Sequence, residues 1–309
     1  MQENTAAQNA TELENLIAQL QRVLLGKPKQ IRLALCCVLA RGHLLIEDLP
    51  GMGKTSLSQA MAKSLGLTYQ RVQFTSDMLP ADILGVSIYD KAMNQFVFHP
   101  GPLFRQMVLA DEINRASPKT QSALLEAMAE GQITVDGNTH PLPKPFFVIA
   151  TQNPTDQSGT FPLPESQLDR FMMRISLGYP SKEAELAMLK GQGENPASAL
   201  PQCISPLGLM QLQAEVDKIT SSDAVLHYLL ALVEETRTQG EGYGLSPRAT
   251  KALLACGKAW AFLSGRQFMV PEDLQAVFVA VAQHRLRASS QHQGQSLAER
   301  VLGAVNPIR

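Results

Sequence analysis

Residues 47–56 read EDLPGMGKTS and follow the apolar run HLLI at 43–46. A phosphate-binding loop is written as Gly, four residues of any kind, then Gly-Lys-Ser/Thr. Gly53, Lys54 and Thr55 supply the end of that pattern, but Asp48 stands where its first glycine belongs. The chemistry asks little of that first position. Glycines let backbone N–H groups turn inward around phosphates, and the helix that follows presents its positive end. Pro50 sets the turn, Gly51 and Gly53 flank Met52 and give the freedom, and Ser56 follows Thr55 into the helix. Asp48 replaces glycine at no cost if its backbone angles are ordinary and its carboxylate points away from the phosphates. Lys54 would then reach the β- and γ-phosphates, and the Thr55 hydroxyl would meet Mg²⁺.

Working outward, the loop sits between a short buried strand at 43–46 and a helix at about 54–64, the place such a loop requires. Further strand-like runs occur at TYQRVQF (68–74), MVLA (107–110) and FFVIA (146–150), with helical segments between them such as PKTQSALLEAMAEG (118–131). This alternation predicts a parallel, doubly wound α/β sheet. Two stretches interrupt it. GVSIYDKAMNQFVFHPG (85–101) has two strand-like halves about a polar centre, and ITVDGNTHPLPK (133–144) carries a DG turn signal. Both read as inserted β-hairpins. Ahead of the loop, Thr11 and Glu14 read as a capping box that opens a helix carrying Leu13, Ile17, Leu20 and Leu24 on one face. Residues 1–10 are expected to be frayed. A second helix is expected from about Pro28 to Arg41. From about Tyr179 the texture is helical throughout, which places a domain boundary near 178: a nucleotide-binding core at 1–178, then an all-helical region at 179–309.

MVLADEINRA (107–116) is a hydrophobic strand ending in two acids. That is the magnesium and water-activating element a phosphate loop needs. Asp111 would hold Mg²⁺, and Glu112 would polarise the attacking water. Asn153 follows another buried strand, where its amide would position that water; an asparagine before Pro154 also reads as a turn residue. Arg170, in PESQLDRF, and Arg248, in GLSPRAT, are candidates for the extra cation that phosphoryl transfer requires on the γ-phosphate. Each also reads as a surface charge.

Composition narrows the class. The 309 residues are 45% hydrophobic and 18% charged, with net charge −1, which gives no global attraction to nucleic acid or anionic membrane. Cys36, Cys37, Cys203 and Cys256 have neither metal-ligand nor disulfide-framework spacing and read as structural thiols. The N-terminal sequence lacks signal-peptide character, and no apolar run is long enough to span a bilayer. A cytoplasmic protein without direct membrane insertion is expected.

With these parts in order, the chain resembles the AAA+ ATPases, and among them the MoxR family. GHLLIEDLPGMGKTSL, RVQFTSDMLPADILG, FHPGPLF, VLADEINRASPKTQSALLEAMAEGQITVDG, FVIATQNP and LPESQLDRFMMRI carry the resemblance, across about residues 22–180. An acid at position 48 belongs to this family's usual loop. The resemblance implies an AAA+ P-loop fold with a helical lid and ATP and Mg²⁺ as ligands. It makes Asn153 the first sensor, Arg170 the finger reaching a neighbouring subunit's nucleotide, and Arg248 the second sensor on the lid. Arg174 would either assist Arg170 or be a strand-edge charge. It further implies a homo-oligomeric, hexameric ring that remodels protein clients, with a von Willebrand factor A domain protein as partner. A DNA-dependent motor and a chelatase-type motor subunit are the alternatives. The hairpins offer only Lys91 and Lys144 to phosphates, which speaks against nucleic acid.

Overall fold

Five strands form one parallel sheet, and two hairpins stand apart from it. In chain order the strands are β1 (Leu44–Glu47), β2 (Tyr69–Gln73), the hairpin β3 (Gly85–Asp90) and β4 (Gln95–Pro100), β5 (Met107–Asp111), the hairpin β6 (Gln132–Val135) and β7 (Asn138–Pro141), β8 (Phe147–Gln152) and β9 (Met173–Ile175). The sheet runs β2-β5-β8-β1-β9. The computed structural model describes residues 2–154, 159–191, 200–239, 244–286 and 296–307, with side chains from residue 10 onward.

Helices cover both faces, as buried parallel strands demand. They are α1 (Gln2–Val23), α2 (Pro28–Leu39), α3 (Lys54–Ser64), α4 (Pro80–Leu84), α5 (Pro118–Glu130) and α6 (Glu165–Leu168). After β9 come α7 (Lys182–Leu189), α8 (Pro206–Asp217), α9 (Asp223–Gln239), α10 (Pro247–Leu263), α11 (Pro271–Ala282) and α12 (Leu297–Ala304); among the described residues the only β pairing in this region is one isolated bridge, Thr220 to Phe268. The period-two alternation of the central strands divides the core in two. Leu44, Ile46, Met107, Leu109, Phe147 and Ile149 face a cluster shared with α1, α2, α3 and the helices after β9. Leu45, Val108, Ala110, Val148 and Ala150 face Leu124 and Leu125 of α5. The C-terminal helices therefore pack on the same apolar layer as α2, through α8 and α10.

Both hairpins form as expected. Asp136 and Gly137 take φ of 50° and 78°, the pairing that a type I′ turn requires. One expectation fails at the N-terminus. The helix begins at Gln2, so Thr11 and Glu14 lie on its exposed face instead of opening it. No glycine or proline interrupts residues 2–23, and Ala6, Ala7 and Ala10 favour helix through the stretch read as frayed. Leu13, Leu16, Leu20 and Leu24 form its buried stripe, with Ile17 only partly covered. The second helix stops at Leu39, two residues short, where Arg41 adopts a left-handed φ of 57°.

Candidate functional site

β1 delivers the loop. Gly51 and Gly53 adopt φ of 83° and 90°, where side chains are strained, whereas Asp48 is not among the residues with positive φ. The Asp48 carboxylate turns away from the loop's interior. It accepts from Ser176 Oγ at 2.8 Å, from the buried Leu177 N–H, and from Gly178 N–H at 3.2 Å. Both conditions for an aspartate in place of glycine are thus met. Lys54, the first residue of α3, is buried and donates to the Asp48 backbone carbonyl at 2.8 Å. Burial pushes its pKa down, opposed by the charges of Asp111, Asp48 and Glu112.

The start of α3 fits an anion. Five other helices (α5, α7, α8, α10 and α12) have serine side chains accepting from their first-turn N–H groups. At α3 the N-cap is Gly53, and no side chain caps the turn. Its first N–H groups are left for a ligand, beside a buried ammonium and the Thr55 hydroxyl. A nucleoside triphosphate has the matching chemistry.

The strand order brings the acids to this end of the sheet, because β8 lies between β5 and β1 and all three are parallel. Asp111 ends β5, and Glu112 follows it in a left-handed conformation, φ 56°. Thr151 on β8 holds the pair: its hydroxyl donates to Asp111 Oδ1 at 2.6 Å and accepts from Glu112 N–H at 2.9 Å. Asn153 lies just beyond, at the C-terminal end of β8. Two residues of β2 complete the acid cluster. Arg71 donates to Asp111 Oδ2 through Nε and Nη2, at 3.1 and 2.6 Å, and Gln73 donates to Glu112 Oε2 at 2.9 Å. Arg115 pairs with the same Glu112 oxygen at 2.9 Å. The i, i+2 spacing of Arg71 and Gln73 puts both on one face of β2; reading them as site residues needs the β2–β5 register.

The two remaining arginines lie elsewhere. Arg170 donates to the Leu125 carbonyl of α5 at 3.0 Å. Arg248, exposed in the first turn of α10, lines a cavity of about 390 Å³ with Arg170, Asp169, His43, Lys251 and Arg285. His43 precedes β1, whereas the phosphate loop follows it. A four-residue strand, about 13 Å, therefore separates this cavity from the loop of the same chain. The structure brings Arg170 and Arg248 together and sets both apart from Lys54. Arg174, on β9, is in an ion pair with Glu47 at 2.7 Å. His43 is neutral, with Nδ1 accepting from Val148 N–H at 3.0 Å and Nε2 at 3.1 Å from the Met128 carbonyl. Burial first of all lowers its pKa from 6.5 to about 4.

Fold and loop together define a nucleotide-hydrolysing α/β core with a helical lid. Residues 43–173 match the ATPase family associated with various cellular activities (AAA), and residues 236–302 match the AAA lid domain. The crystal structure of a candidate ATPase from Cytophaga hutchinsonii superposes with a TM-score of 0.88 at 36% identity, over 98% of this chain and 97% of that one. The protein YeaC of Bacillus subtilis, itself uncharacterised, is 45% identical over 89% of this chain and 86% of its own length. Chaperone MoxR1 of Mycobacterium tuberculosis is 37% identical over 89% of this chain and 75% of its own, and protein MoxR of Paracoccus denitrificans 33% identical over 89% and 88%. The chain belongs to the MoxR family of AAA+ ATPases, and its reaction is the hydrolysis of ATP. Among the described residues no helix is long and apolar enough to cross a membrane.

Proposed function

We propose that the protein works as a ring of identical subunits, a hexamer by family resemblance, in which each ATP is bound by one subunit and completed by the next. The observation that carries this reading is the position of Arg170 and Arg248, in one cavity a strand's length from their own loop. Neither is placed to stabilise charge on its own subunit's γ-phosphate. A neighbour whose loop faced the cavity would receive both cations at once. Within a subunit, Pro50 to Ser56 cradle the triphosphate, with Lys54 on the β- and γ-phosphates. Thr55 and Asp111 would hold Mg²⁺, which would neutralise charge on the phosphate oxygens. Glu112 takes the proton from the attacking water, and Asn153 orients that water. For Asp111 to serve, Arg71 must yield part of its two-bond hold. The core would end near residue 178, with the lid beyond.

The work done by hydrolysis is the remodelling of a protein client. The chaperone MoxR1 supports this, and so does the first hairpin, which exposes Val86, Ile88, Tyr89, Met93 and Phe96. An apolar tip suits polypeptide better than a phosphate backbone. A von Willebrand factor A domain partner rests on family resemblance.

Mixing inactive subunits tests the shared site. Arg170→Ala and Arg248→Ala each keep a good loop, and Lys54→Ala keeps good arginines beside a dead loop. Each alone should be nearly inactive, since an arginine finger is worth roughly 10³ to 10⁵ in rate. Activity should return in part when either arginine variant is mixed with Lys54→Ala. A flat profile across mixing ratios, with mixed oligomers confirmed, overturns the reading.

A further inference from the structure

Directly after α11, the chain makes a single 3-10 turn, Gln283–Arg285, whose last side chain is only 5% exposed. Arg285 reaches back across the fold to the segment that carries Arg170. Its Nε donates to Asp169 Oδ1 at 2.6 Å; Nη2 donates to the carbonyls of Asp169 and Phe171 at 3.2 and 2.7 Å; Nη1 donates to the carbonyls of Met172, at 3.1 Å, and of Val281. A guanidinium has five N–H donors, and here each finds an acceptor. Beside it, burial keeps His284 uncharged by lowering its pKa well below the usual value. Its Nε2 lies 3.0 Å from the same Phe171 carbonyl.

Four of the five bonds fall on Asp169, Phe171 and Met172, the residues that flank Arg170 on both sides. Among the described residues the Arg170 side chain has one hydrogen bond of its own, to the Leu125 carbonyl. The segment is thus held from two sides: its N–H groups, from Asp169 to Met172, bond to core carbonyls, and the carbonyls of Asp169, Phe171 and Met172 accept from Arg285 of the lid. A lysine at 285 would keep the charge but present one point instead of a planar fork.

We infer that Arg285 is a positioning residue for Arg170, so that the helical region of one subunit sets how well the finger serves the nucleotide site it faces. The inference rests on the shared-site reading above. Arg285 touches neither loop nor acids, so its removal should leave its own subunit's nucleotide binding intact.

The test uses Arg285→Ala in the full-length chain, at a temperature where circular dichroism shows it folded. A misplacement of about 1 Å typically costs roughly 10²-fold in rate, so kcat should fall about that far while KM for ATP stays within a few-fold. Arg285→Lys should recover little. Mixed with Lys54→Ala, the variant should regain activity, because its loop is good and the partner's finger is good. Mixed with Arg170→Ala it should not, because neither supplies a finger. If Arg285→Ala does not fold, Asp169→Asn, which removes the carboxylate partner alone, should show the same mixing pattern with a smaller loss. Parental kcat in the folded variants, or rescue by Arg170→Ala, overturns the inference. Failure of the control pair, Arg170→Ala with Lys54→Ala, overturns the shared site instead; a fall in kcat at constant KM would then still place Arg285 behind Arg170, within one subunit.

Discussion

Asp48 offers a test in which motif and structure disagree. Replacing it by glycine restores the usual written form of the phosphate loop and should improve the protein if the motif were the whole story. The structure predicts the reverse. Asp48 is 7% exposed, and its carboxylate accepts from Ser176 Oγ and from the N–H groups of Leu177 and Gly178. Hydrogen bonds to a charged group contribute about 1.5–3 kcal/mol each, and a buried N–H left without a partner costs about 1–3 kcal/mol. Water reaches the exposed Ser176, so the loss concentrates on the two N–H groups. Asp48→Ala should therefore lose about 3–5 kcal/mol, a large share of a typical 5–15 kcal/mol. Asp48→Gly should lose about 0.5–1 kcal/mol more, through backbone entropy. ATP affinity should move less than tenfold, because Lys54 is held by the backbone carbonyl of residue 48, which any substitution keeps. Urea unfolding followed by circular dichroism, beside titration with a fluorescent ATP analogue, separates the two effects. A parental urea midpoint in Asp48→Gly would refute the capping argument. A large loss of affinity at unchanged stability would mean that the carboxylate faces the nucleotide.

Three further outcomes follow from the site and its surroundings. Lys54→Ala should abolish tight ATP binding, whereas Glu112→Gln should keep ATP bound and lower turnover by roughly 10²–10⁴-fold; near-parental turnover in Glu112→Gln would move the base elsewhere. His43 should make stability drop as the pH is lowered: its folded pKa is about 4 against 6.5 unfolded, so only the unfolded chain gains its proton as pH drops below 6.5. The contribution is about 3 kcal/mol in full, and about 2 kcal/mol of it is lost by pH 5. His43→Gln should remove that part of the difference between urea midpoints at pH 7 and pH 5, and an equal difference in parent and variant would refute it.

Local chemistry made much of the fold legible. The loop, the buried strands and the Asp-Gly hairpin turn each declare themselves within a dozen residues. Contacts between distant residues were not legible. The sequence allows Asp48 in the loop but does not show what its carboxylate bonds to until Leu177 and Gly178 are brought to it, well over a hundred residues later in the chain. Arg71 reads as an exposed strand residue until β2 pairs with β5 and delivers it to Asp111. Arg285 reads as the charged tail of a helix until α11 docks and its fork meets the finger segment. For Arg248, the type of residue and its helix start are visible in SPRAT, but the end of the sheet it faces depends on how α10 packs against α2.

The segment from Asp169 to Gly178 ties these distant contacts into one mechanical element. Arg285 holds its beginning, Asp48 holds its end, and between them β9 pairs with β1 from Leu44 to Ile46 while Arg174 bonds Glu47. Arg170 sits next to the first clamp, and the phosphate loop owns the second. Three residues of paired strand, about 10 Å, separate the two and cannot stretch without breaking sheet hydrogen bonds. The clamps therefore differ in what their loss should do. Cutting the Asp48 clamp frees the end that leads into the lid and costs stability, but leaves the residues flanking Arg170 bonded to Arg285 and turnover nearly intact. Cutting the Arg285 clamp leaves the loop and β9 in place and releases the finger alone. A kcat that collapses in Asp48→Ala, at a temperature where it is folded and binds ATP, would mean that the finger takes its position from the phosphate loop instead.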